Sequence, residues 1–137
     1  MQSAPKPFEA WWEEASRPGA TPALQTLLRQ FFDLFVRPAP NLTLLRESLV
    51  TLIEHIGSAD GETEDNLFTV DAFFCLLTAE HNDLLERLPD DYQGLIDTLG
   101  MDLGEGLEDP ETAKAMGATP ELLLAKARAL QAPSDMN

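Results

Sequence analysis

Hydrophobic residues recur every three or four positions along almost the whole chain, which is the spacing of one face of an α-helix. In the first such segment, residues 7–16, Phe8, Trp11 and Trp12 share one face and Pro7 suits the first helical position. The alternating pattern of strands flanked by hairpin dipeptides is absent from the sequence. The pattern therefore predicts an all-α fold.

Three further helices have clear start signals. Thr21, Asn41 and Thr63 each precede an apolar stripe, and their side-chain oxygens can cap the first turn by accepting a backbone N–H. The helix after Thr21 is apolar on more than one face, so we expect it to be the central core helix or an oligomer contact. Gly57, after the stripe of residues 42–56, is expected to adopt the left-handed conformation that often ends a helix.

The C-terminal half predicts shorter elements. We expect a short helix at residues 83–88, started by Asn82, and a longer one from Asp90 that Gly104 and Gly106 end. Within the longer helix, Gly94 and Gly100 each cost roughly 1 kcal/mol against alanine and can let a neighbouring helix approach closely.

Two helices are expected at the end of the chain. One follows Asp109 and is closed by Gly117, and the last follows Thr119, whose Thr-Pro start repeats that of Thr21. The sequence therefore predicts a single-domain, irregular bundle of about six to eight helices over residues 1–131, with a flexible C-terminal tail at 132–137.

The chain is strongly acidic, and the acidity is concentrated. Its 137 residues hold 24 acidic and 9 basic side chains, a net charge of −15, while the hydrophobic fraction of 44% is that of a globular domain. Residues 58–111 contain 16 acidic residues and one basic residue, Arg87, so this segment alone has a net charge of −15. We expect it to form a strongly negative surface that disfavours nucleic acid and anionic membranes.

That surface has three interpretations: a solvated face of the kind many acidic bacterial proteins carry, a docking surface for a basic protein, or a cation-binding site. The carboxylates that we select as candidates for partner binding are Asp60, Glu62, Glu64, Asp65, Asp90, Asp91, Asp97 and Asp102. Trp11 and Trp12 are either an exposed binding hot spot or a pair that is half core and half rim.

The sequence offers little evidence for catalysis, so we predict no catalytic residue, metal or cofactor. Residues 60–66 are rich in oxygen ligands. An EF-hand loop that begins at Asp60 would need glycine at its sixth position, but that position is Asp65. His55 and His81 have no metal-ligand spacing, and the phosphate-loop, dinucleotide, nucleophile-elbow and CxxC motifs are absent. Asp71 lies beside the apolar stripe of its helix. It has two interpretations: a structural carboxylate that faces solvent or pairs with an arginine, or a catalytic or ligand-binding residue.

The single cysteine, Cys75, cannot form an intrachain disulfide, and its place in the apolar run 72–77 predicts a small buried hydrophobe. The N-terminus lacks the apolar core of a signal peptide, and no stretch is long and apolar enough to span a membrane. These features predict a cytoplasmic protein.

The leading hypothesis is a non-enzymatic interaction module of the inhibitor, immunity or regulatory type, which binds a basic protein through an acidic face. The first alternative is a homodimeric structural or regulatory protein, built through the apolar surplus of the helix after Thr21. The second is a divalent-cation-dependent enzyme or a cation-binding protein, using carboxylates of residues 60–71 with His55.

Overall fold

The structure, a computed structural model, describes residues 7–39, 41–116 and 119–130, with the side chains of residues 101–108, 110 and 116 left out. These residues form eight α-helices and no strand, which confirms the predicted all-α bundle. The predicted tail at 132–137 and Gly117 lie outside the described residues. The helices are α1 (Phe8–Ala15), α2 (Pro22–Phe35), α3 (Leu42–Ile56), α4 (Glu64–Glu80), α5 (Asn82–Leu85), α6 (Asp90–Glu108), α7 (Pro110–Met116) and α8 (Pro120–Arg128).

The predicted helix starts are confirmed by their hydrogen bonds. The side-chain oxygens of Thr21, Asn41, Thr63 and Thr119 each accept the backbone N–H three residues ahead, at 3.0–3.2 Å. Each bond satisfies one of the amide groups that a first turn leaves without an intrahelical partner. The Thr-Pro start is therefore the same capping arrangement in α2 and in α8.

Four helix ends differ from the prediction. Pro7 is the extended residue before α1 (ψ 155°) and lies outside the helix. Gly57 is right-handed (φ −99°), because the chain leaves α3 in a tight turn in which the Ser58 amide bonds to the His55 carbonyl at 3.1 Å. α5 ends early, at Leu85. α6 continues through Gly104 and Gly106 to Glu108, since glycine in a helix costs only about 1 kcal/mol and α6 packs on both α4 and α7.

The most extensive helix pair of the bundle is α4 and α6; α1, α5 and α7 pack on this pair, whereas α3 packs mainly against α2 and α8. Gly100 makes this pairing close, because a Cβ atom there would lie 3.0 Å from the backbone N of Cys75 and from the carbonyl carbon of Phe74. Gly94 faces open space. The predicted close approach thus occurs at one of the two glycines.

The additional apolar side chains of α2, beyond those that a surface helix needs, are buried within the chain. The rings of Phe31 and Phe74 are 5.1 Å apart, and Phe32 lies 5.9 Å from Phe8 and 6.2 Å from Trp11. α2 is therefore a central core helix, and its apolar face at Phe32 is covered by α1.

Trp11 and Trp12 have different environments. Trp11 is fully buried against Phe32 and His81, whose ring lies 5.6 Å away, and Trp12 is only partly buried. The pair is therefore half core and half rim, and an exposed hot spot containing Trp11 is excluded in the folded chain.

Cys75 corrects another expectation. It is exposed, although its neighbour Phe74 is fully buried. It lies on the outer stripe of α4 together with Asp71, Ala72 and Ala79, which are partly or fully exposed. An unbroken apolar run does not show which residue of a helix points outward, because each residue turns by 100° from the last.

Among the described residues, no helix combines the length and the apolar character needed to cross a membrane.

Candidate functional site

The first acidic group consists of Asp60, Glu62, Glu64 and Asp65. Asp60 and Glu62 lie in the loop between α3 and α4, and Glu64 and Asp65 are in the first turn of α4. Asp65 is half-buried and the other three are exposed. Carboxylates are stabilised at this position because the N-terminal end of a helix carries partial positive charge.

The second acidic group surrounds α5 and consists of Asp83, Glu86, Asp90 and Asp91, all of which are exposed. Asp90 and Asp91 form the first turn of α6. They were selected from the sequence, whereas Asp83, in α5, and Glu86, directly after it, were not.

The two groups lie at opposite ends of α4. From Glu64 to Glu80 the helix rises 1.5 Å per residue, so the groups are about 24 Å apart along its axis. Asp97 is exposed on α6, and the side chain of Asp102 lies outside the described part of the chain. Six of the eight candidate carboxylates therefore fall into two groups, and Asp97 belongs to neither.

Asp109, directly before α7, is a further exposed carboxylate of the acidic segment. Its pKa lies below the ordinary value because the Thr112 hydroxyl donates to it at 2.7 Å and the Glu111 amide donates at 3.1 Å. Both hydrogen bonds favour the ionised carboxylate.

Arg87, the only base of the acidic segment, is committed to backbone carbonyls. Its guanidinium donates to the carbonyls of Phe35, Arg37 and Pro38 at the C-terminal end of α2, at 2.7–3.0 Å, and its Nε donates to Leu84 at 3.1 Å. Four of the five guanidinium N–H groups are thus used. The isolation of Arg87 among acidic residues is visible in the sequence, but this structural role is not.

The loop of the first acidic group is anchored by a buried polar network. Asn66, fully buried, donates from Nδ2 to the carbonyl of Gly61 at 2.9 Å and accepts the amide of Thr21 at 2.9 Å. Gly61 has no room for a Cβ atom, which would fall on the carbonyl oxygen of His55. This packing fixes the loop that displays Asp60 and Glu62. Nothing in the spacing of Asn66 distinguishes it from a surface residue, so sequence reasoning missed it.

An open cleft of about 750 Å³ lies beside this loop, between the C-terminal end of α3 and the N-terminal end of α8. Most of its wall is apolar. We call it the α3–α8 cleft, and the residues that line it are Ile53, Glu54, Gly57, Glu62, Lys114, Thr119, Pro120, Glu121, Leu122 and Leu124. Glu62 thus belongs both to the first acidic group and to the cleft wall.

The proposed cation-dependent site gains no support from the geometry. In the described ranges, no group of three or more His, Cys, Asp or Glu side chains is arranged to hold a metal ion. Nε2 of His55 lies 2.9 Å from the Thr21 hydroxyl, which ties it to the polar network. Asp71 is half-buried, six residues and about 9 Å along α4 from Asp65.

Comparison with protein-family models, with curated proteins and with solved structures finds no match to this chain in any of the three.

Proposed function

We propose that this protein is a non-enzymatic interaction module that binds a basic protein partner through the exposed carboxylates of its α4–α6 region. The protein would act on this partner as an inhibitor, an immunity protein or a regulator. The partner would present a positive surface, and the acidic groups supply its electrostatic complement. Such a charge distribution accelerates the encounter with a cationic partner and repels nucleic acid.

The observation that carries the proposal is the role of Arg87. A segment with 16 acidic residues has one base, and that base donates to the carbonyls at the end of α2. With one cation against 16 carboxylates, the negative potential of the segment is only weakly offset from within. A positive surface on another protein can supply the missing countercharge.

The spacing of the acidic groups is compatible with one interface. A standard interface covers about 800 Å² on each partner, which corresponds to a patch roughly 30 Å across. The two groups are about 24 Å apart along α4. One partner can therefore reach both groups if its basic surface runs along the α4–α6 pair.

The test is affinity capture with the folded protein, followed by a salt titration of each identified partner. We expect a basic protein whose dissociation constant rises steeply with ionic strength, because exposed charge pairs are screened by salt. A partner whose affinity is the same at low and high salt contradicts the electrostatic mechanism.

Three variants of equal charge change locate the surface. Each neutralises three exposed carboxylates, in the first acidic group, in the second acidic group, or in α1–α3 as a control. They are Asp60→Asn with Glu62→Gln and Glu64→Gln, Asp83→Asn with Glu86→Gln and Asp90→Asn, and the control Glu13→Gln with Asp33→Asn and Glu47→Gln. Binding should weaken in the first two and be nearly unchanged in the control.

A further inference from the structure

We propose that the α3–α8 cleft receives an apolar side chain of the basic partner, flanked in the partner by lysine or arginine. This inference rests on the proposed function, since it gives the chemistry of the segment that meets the first acidic group. It adds a short-range apolar contact to a surface that otherwise acts by charge.

The apolar wall of the cleft is the first reason. Leu122 is 40% exposed and lies in this wall, to which the buried Ile53 also belongs. A large apolar side chain in a concave, solvent-filled surface gains stability when an apolar group of a ligand removes it from water. The volume of about 750 Å³ accommodates more than one amino-acid side chain.

The charge of the cleft is the second reason. Three carboxylates line it, those of Glu54, Glu62 and Glu121, against one ammonium group, that of Lys114. Glu54 is paired with Arg128 at 3.0 Å, so Glu62 and Glu121 supply most of the remaining negative charge. An apolar side chain flanked by cations complements this combination better than an apolar side chain flanked by acids.

The continuity of the two surfaces is the third reason. Glu62 lines the cleft and is two residues from both Asp60 and Glu64. A partner segment that pairs with the first acidic group therefore reaches the cleft without a gap. The loop that carries Glu62 has a fixed position, because Asn66 and Gly61 hold it against α3.

Two synthetic peptides provide the probe. One is a short lysine-rich peptide with a single central leucine, and the other is the same peptide with serine in place of that leucine. Both have the same charge, so they differ only in the apolar side chain. Binding is measured by titration of the full chain, and its location is read from backbone amide chemical shifts.

We expect the leucine peptide to bind about fivefold or more tightly than the serine peptide, because it buries apolar area. It should shift the amides of Gly57 and Leu122. Leu122→Ser should remove the difference in affinity between the two peptides. Leu44→Ser is the matched control, since Leu44 is 41% exposed but lies away from the cleft, and it should leave the difference intact.

The outcomes separate the two proposals. Equal binding of both peptides, unaffected by Leu122→Ser, overturns the cleft proposal and leaves the acidic surface in place. If neither peptide binds, both proposals fail. Loss of self-association on Leu122→Ser, measured by sedimentation without peptide, assigns the cleft to a second copy of this chain and also overturns the cleft proposal.

Discussion

The hydroxyl of Thr21 lies 2.9 Å from Nε2 of His55 and connects the start of α2 to the end of α3. The same oxygen accepts the amide of Leu24 at 3.2 Å and the side-chain amide of Asn66 at 3.3 Å. One threonine thus joins α2, α3 and α4 beside the first acidic group.

Removal of the Asn66 side chain should destabilise the protein strongly. Asn66→Ala leaves the half-buried amide of Thr21 and the buried carbonyl of Gly61 without these partners, which we expect to cost about 3 kcal/mol of unfolding free energy. Asn41→Ala, which removes an exposed cap, should cost only about 1 kcal/mol. Urea denaturation measures both, and equal losses would contradict the buried network.

Gly100 and Gly94 form a matched pair within α6. Gly100→Ala places a methyl group 3.0 Å from the backbone of α4, so we expect a loss of about 1–3 kcal/mol even after the gain in helix propensity. Gly94→Ala meets no atom within 4 Å and should stabilise the protein by about 0.5–1 kcal/mol. Thermal denaturation decides the signs, and stabilisation by Gly100→Ala would contradict the close packing of α4 and α6.

These results show what can be predicted from sequence. The caps at Thr21, Asn41 and Thr63 were predictable because capping depends on a side chain and an amide three residues away. The exposure of Cys75, the burial of Asn66 and the bonds of Arg87 to α2 were not, because they depend on contacts between residues that are distant in sequence. The division of the carboxylates into two groups, in contrast, follows from the length of α4 alone.

Stability should fall at high pH because of Tyr92, the only tyrosine. Its side chain is buried and its hydroxyl donates to the Leu42 carbonyl at 3.1 Å. Burial raises the pKa of Tyr92 above its ordinary value of about 10, the charge of Asp91 raises it further, and Arg46 opposes both.

The neutral phenol is therefore favoured in the folded state. The stability due to this shift is fully present below the unfolded pKa of about 10 and is lost as pH rises through the folded value. Tyrosinate absorbance measures the titration of Tyr92 alone. Asp91→Asn should reduce the upward shift, and a native titration below the ordinary tyrosine pKa would contradict the burial of the phenol.

Arg87 should contribute to stability although it is exposed. Arg87→Ala removes the guanidinium bonds to three carbonyls at the end of α2 and should lower the unfolding free energy by about 1–2 kcal/mol. Arg87→Lys should restore little, because one ammonium group cannot reproduce the spread of the guanidinium donors. Arg37→Ala controls for the loss of one positive charge, and an equal effect there would contradict the structural role of Arg87.

The central claim is that the exposed carboxylates of α4–α6 bind a basic protein. The most direct test measures, at constant low salt, the dissociation constant between a captured partner and each of the three charge variants. We expect neutralisation of the first or second acidic group to raise it about tenfold, and the control in α1–α3 to change it by less than about twofold. Equal effects of all three variants would show that only net charge matters, and no effect in any variant would show that the partner binds elsewhere. Either result would contradict the proposed surface.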